Sequence, residues 1–159
     1  MFFKKNNDYV VICNNIYDNS LIITEKLNRI ISNYGYSLSI STHKPLFCSI
    51  TSLYCYFFFE LVLRNYYNYS NEKCFKIIYS LISELTSHLK NVDVEQTFNA
   101  YTEIKNILSN PPKDQIEEFI SINYLVMAIN FKEEDVDTLL LFDIWREFDT
   151  ILKNAYRIK

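Results

Sequence analysis

The sequence predicts a single all-α domain, residues 1–159, of about six helices packed around a central apolar helix at 45–69. Three observations carry that prediction. A chain of 159 residues that is 49% hydrophobic and 16% aromatic has one domain's length and ample apolar surface to bury. Segment after segment repeats apolar residues at helical spacing, with polar residues where helix ends belong. No internal repeat, low-complexity linker or break in composition divides the chain.

Taken in order, the N-terminal part is the least determined. Tyr9-Val10-Val11-Ile12-Cys13 is β-branched and bounded by Asn and Asp, which suits a short helix or a strand over 8–13. From Ser20 onward, Ile23, Leu27, Ile30, Ile31 and Tyr34 fall at helical spacing, and Gly35 stands where a left-handed C-terminal cap belongs. Residues 36–41 then alternate with period two, so a strand or extended connector is expected. Pro45 opens the apolar helix. Over Pro45–Leu63 Glu60 is the only charge and the mean hydropathy is roughly 1.6, near the value for a membrane span. A helix wrapped by others gives the same signal and is the preferred reading.

Ser70 is a candidate N-cap for a helix whose Cys74, Ile78, Leu81, Leu85 and Leu89 share one face. Asp93-Val-Glu-Gln96 reads as a capping box before the stripe Val94, Phe98, Tyr101, Ile104 and Leu108. Asn110-Pro111-Pro112 is expected to stop that helix and open the next, which carries Ile116, Phe119, Ile120, Asn123 and Met127. A last helix from about Glu133 to Tyr156 aligns Leu141, Trp145, Phe148, Leu152 and Ala155.

The composition argues against several chemistries. One glycine in 159 residues, where average usage of about 7% gives roughly eleven, removes the dinucleotide-binding turn, the P-loop and the nucleophile elbow. His88 follows Glu84 by four residues but shares a face with Leu81 and Leu85, which reads as a core or boundary histidine. His43 lies in a polar connector. Of the four cysteines, Cys48 alone sits in a first helical turn; the others read as buried, reduced thiols. No enzyme, metal or cofactor is expected, and no secretory leader is apparent, so the location expected is cytoplasmic.

Charge is the remaining signal. The formal net of −3 conceals a stretch from 93 to 150 that carries −9, with +3 on either side. Nucleic acid is therefore not an expected partner. Glu117, Glu118, Glu133, Glu134, Asp135, Asp137, Asp143 and Glu147 form the candidate binding face. Some of these acids suit the positive end of a helix dipole. Glu133 with Asp137, and Asp143 with Glu147, are like-charge pairs at i, i+4, which a helix tolerates at a cost of about 0.2–0.5 kcal/mol each. A basic partner would offset that cost. Trp145, in register with Leu141 and Phe148, reads as core, whereas Tyr66, Tyr67 and Tyr69 suit either an interface or a core rim.

In size, acidity and composition the chain is similar to immunity proteins of contact-dependent and type VI toxin systems. The resemblance implies an inhibitor that forms a heterodimer with a basic, nuclease-type toxin. The alternative is a helical groove-binding module similar in plan to the Bcl-2-like proteins of large DNA viruses. That family's Asn-Trp-Gly-Arg motif is absent here, since Trp145 is preceded by Ile144 and followed by Arg146. A membrane-anchored component using residues 45–63 is the third class.

Overall fold

The computed structural model describes residues 2–36, 44–89, 92–129 and 137–154, with side chains over 10–36, 49–89, 92–128 and 137–154. Among these residues every regular element is a helix: α1 (Phe2–Asn33), α2 (Lys44–Asn65), α3 (Asn71–Ser87), α4 (Val94–Leu108), α5 (Ile116–Ile129) and α6 (Thr138–Lys153). The chain is all-α, as its periodicity predicts.

The first helix is longer than expected. Residues 8–13 form no strand but lie inside α1, because Ile12 begins a buried stripe that Ile16, Ser20, Ile23, Leu27 and Ile31 continue at spacings of three and four. Packing along that stripe overrides the β preference of the Val-Val-Ile run. The helix ends as its glycine predicts. Gly35 has φ +82, its N–H bonds Ser32 O, and Tyr36 N–H reaches back to Ile31 O, the paired bonds of a Schellman cap. Beyond Tyr36, the segment read as extended lies outside the described residues.

Ten consecutive residues of α2, Thr51 to Glu60, are buried, which a helix achieves only when neighbours cover its whole circumference. All five other helices touch it. Two of its buried polar side chains are met inside the bundle: Thr51 and Tyr124 hydroxyls lie 2.8 Å apart, and Glu60 is bonded by three side chains. Among the described residues no helix is long and apolar enough to cross a membrane. The helix stops at Asn65 and not Tyr69, because Tyr66 and Tyr67 N–H both turn back to Val62 O and Asn68 adopts a left-handed φ of 54.

Side-chain caps fix the middle of the fold. Ser70 Oγ accepts from Lys73 N and Asp93 Oδ1 accepts from Gln96 N at 2.7 Å, so both expected N-caps form. The connector before α5 differs from expectation. Pro111 and Pro112 lie ahead of a turn at Lys113 and Asp114, and the helix starts only at Ile116. Likewise α6 starts at Thr138, not Glu133. Asp137 is its N-cap, in extended conformation, with the carboxylate accepting from Leu139 N at 2.9 Å. At the centre, Tyr54, Phe58, Tyr124 and Phe148 bring together α2, α5 and α6, with Phe58 stacked on Phe148 at 5.2 Å. Helices α1 and α6 run antiparallel, since Tyr34 meets Asp143 while Ile22 and Ile23 share a cavity wall with Thr150 and Ile151.

Candidate functional site

The first turns of α5 and α6 face each other across an open cleft. Glu117 and Glu118 occupy the first turn of α5, where carboxylates are favoured by the positive end of the helix dipole. Thr138, Leu141 and Phe142 supply the other wall from α6, and the cleft's volume is about 220 Å³. Leu141 is buried, whereas Leu139 and Phe142 on the same helix are 66% and 53% exposed. On a helix that otherwise buries Leu140, Leu141, Ile144, Phe148 and Ile151, those two side chains leave the core's face and meet solvent. Arg146, one turn beyond Phe142, places its guanidinium 5.8 Å from that ring's centroid. Phe142 thus shares the cleft with two carboxylates and has one cation, Arg146, near its ring.

The acids singled out in the sequence separate into distinct environments. Glu117 and Glu118 line the cleft, and Asp137 is exposed at the head of α6 beside Thr138. Asp143 lies elsewhere: its carboxylate accepts a 2.7 Å hydrogen bond from the Tyr34 hydroxyl of α1. That bond, with burial and the Asp143 and Asp137 charges, holds the Tyr34 phenol up at about 12. Glu147 is half-buried. Glu133, Glu134 and Asp135 lie outside the described residues. Both like-charge arguments therefore weaken. Asp137 is the extended N-cap residue ahead of α6, while Asp143 has a donor of its own. Asp149, also acidic, is paired to Lys153 at 2.6 Å.

A second polar group escapes a reading of the sequence as a line. Glu60, only 5% exposed, accepts from Arg64 and Lys105 at 2.9 Å each through one oxygen and from the Tyr101 hydroxyl at 2.7 Å through the other. Burial opposes its charge, but the bonds from Tyr101, Lys105 and Arg64 outweigh that and hold the carboxyl below its ordinary range. Burial, with the Glu60 charge and the hydrogen bond to it, pushes the Tyr101 phenol well up. Both oxygens are satisfied, so the group serves as a polar clasp between α2 and α4. The sequence signal for it is Glu60-x-x-x-Arg64 inside an apolar run; Tyr101 and Lys105 are too distant in sequence to be linked to it by pattern.

The remaining candidates also find their places. His88 is exposed, not core. It caps the end of α3, and its ring nitrogen lies 3.2 Å from Glu84 at the surface. Cys55 and Cys74 are buried, and burial pushes both thiols up, away from the thiolate a nucleophile needs. Cys48 and His43 fall among residues whose side chains are not described. Trp145 is half-buried against Phe58, their centroids 6.1 Å apart. Tyr67 and Tyr69 pack on the core, Lys73 covers the Tyr69 ring at 3.5 Å, and Tyr66 is exposed. Among the described residues no group of His, Cys, Asp and Glu is arranged to hold a metal ion. Comparison of the chain with protein-family models, curated proteins and solved structures returns no match.

Proposed function

We propose that this chain is a protein-binding inhibitor of immunity-protein or antitoxin type, which neutralises a basic, nuclease-like partner in the cytoplasm. It docks that partner over the cleft between α5 and α6. The observation that carries this reading is that Glu117 and Glu118 share a cleft with exposed Phe142, with exposed Leu139 one turn before it on α6 and Asp137 at that helix's head. Protein interfaces combine an apolar centre, which supplies most of the affinity, with a polar rim. An acidic rim accelerates encounter with a basic surface and disfavours acidic competitors. The −9 balance over residues 93–150 extends that field beyond the cleft itself.

The test uses the tagged chain expressed in its own cell beside a triple variant, Glu117→Lys, Glu118→Lys and Asp137→Lys. Expected is one basic protein, bound stoichiometrically, whose activity is blocked by the wild-type chain. Raising salt from about 0.1 M to about 1 M shortens the screening length from about 10 to about 3 Å, so retention should fall steeply. The triple variant should weaken binding at least about tenfold, on the scale of several rim charges. Asp143→Asn, a change at a carboxylate bonded within the molecule, should leave it unchanged. Undiminished binding by the triple variant sinks the reading. So does a partner that stays bound regardless of salt, or binding of amphipathic helical peptides in its place.

A further inference from the structure

The cleft carries more specific information about what its partner presents. We propose that it seats a single arginine side chain projected by the partner, with the aliphatic stem on Leu141 and Phe142 and the guanidinium between Glu117 and Glu118. This inference rests on the docking reading above and deepens it.

Size sets the first limit. About 220 Å³ between two first turns has room for one long side chain. An α-helix, about 10 Å across with its side chains, does not enter it. The lining sets the second. An aliphatic side chain would satisfy Leu141 and Phe142, yet it would strip water from Glu117 and Glu118 and return nothing to them. A carboxylate would meet two like charges. A long cationic side chain suits both parts, because its methylenes can lie on apolar surface while its head stays among carboxylates.

Between the two cations, the geometry selects arginine. The cleft presents an aromatic ring and carboxylates on two successive residues, and a planar guanidinium can stack on such a ring while its several N–H groups reach more than one oxygen. Lysine offers a point charge without the stacking plane. The molecule already shows the pairing in miniature, since Arg146 lays its guanidinium over the same Phe142 ring at 5.8 Å. Glu117 and Glu118 line the same cleft as that ring.

The experiment uses the intact chain and three small probes: the N-acetyl methylamides of arginine, lysine and norleucine. Binding is followed by NMR at the Leu139 and Leu141 methyls and the Phe142 ring, at constant ionic strength. Arginine amide is expected to give a saturable shift there in the millimolar range, lysine amide a weaker one, and norleucine amide none. Phe142→Ala, and separately Glu117→Gln with Glu118→Gln, should each weaken arginine amide by about threefold or more, the scale of one exposed cation–π contact or rim charge pair. These side chains are exposed or line an open cleft, so the melting temperature should stay within a few degrees of wild type, which confirms that the variants fold. The proposal is overturned if arginine and lysine amides bind equally, if the shifts scatter over all surface acids, or if the variants bind as wild type does. The two readings fail separately. A basic partner that is lost in the triple lysine variant, with no arginine amide binding, removes the seat and leaves the docking face standing. Saturable arginine binding with a partner indifferent to the triple variant removes the docking face and leaves the seat.

Discussion

Burying a carboxylate costs several kcal/mol unless other groups replace the water it loses, and Glu60 shows how that replacement is made. Three donors surround it, but Arg64 and Lys105 are themselves about one-third exposed, which screens their charge. Glu60→Ala should accordingly destabilise the fold by about 2 kcal/mol, below the usual cost of breaking a fully buried pair, as read by urea unfolding. Glu60→Gln should cost less because it retains an acceptor for Tyr101. The pH dependence follows from the direction of the shift. A carboxyl held lower in the folded chain contributes stability that is present above its ordinary value of 4.5 and is lost as pH falls through the folded-state value beneath it. Wild type and Glu60→Gln should therefore converge in stability as the solution is acidified below pH 4.5, while a constant difference down to pH 2 would exclude this assignment. Asp143 teaches the complementary lesson. Seen in the sequence it is a like-charge liability beside Glu147, and its remedy, the Tyr34 hydroxyl, lies 109 residues away.

Where a helix end depends on its own residues, the sequence is legible. Ser70, Asp93 and Gly35 each do what their chemistry dictates within a few residues of the backbone. Asp93→Ala should cost about 1 kcal/mol, a drop of about 2–4 °C in melting temperature for a domain of this size, because Gln96 N–H loses its acceptor. Where boundaries depend on packing, the sequence is mute. The Val10-Val11-Ile12 run carries local strand preference, and only burial of Ile12 and Ile16 against the rest of the fold makes it helical. Two prolines fit a first helical turn at 111–112, yet α5 begins after a further turn. Asp137 is equally acceptable in pattern as a helix interior or an N-cap; it caps α6, so the acidic run from Glu133 to Asp137 comes before the helix in the chain.

At the scale of the molecule, one helix is surrounded by five, and the largest core side chains converge on it. Phe148 touches Tyr54, Phe58 and Tyr124 and is fully buried. Truncating it, Phe148→Ala, should destabilise by about 3–5 kcal/mol and lower the cooperativity with which α5 and α6 melt, measurable by calorimetry. The apolar centre was visible in the hydropathy of 45–63, and the acidity of the second half was visible as a count. What brings Glu117 and Glu118 next to Leu141 and Phe142 was not, because side-by-side placement of two first turns is a property of helix packing and leaves no mark on either segment. The central position of α2 also has a consequence for biosynthesis. At about 5–20 residues per second, the ribosome releases α2 on the order of ten seconds before α6 can cover its last face. Through that interval the nascent chain carries an apolar helix whose covering partners are not yet made. Glu60, placed four residues before Arg64, has that partner within α2 itself and so is paired before α4 is made.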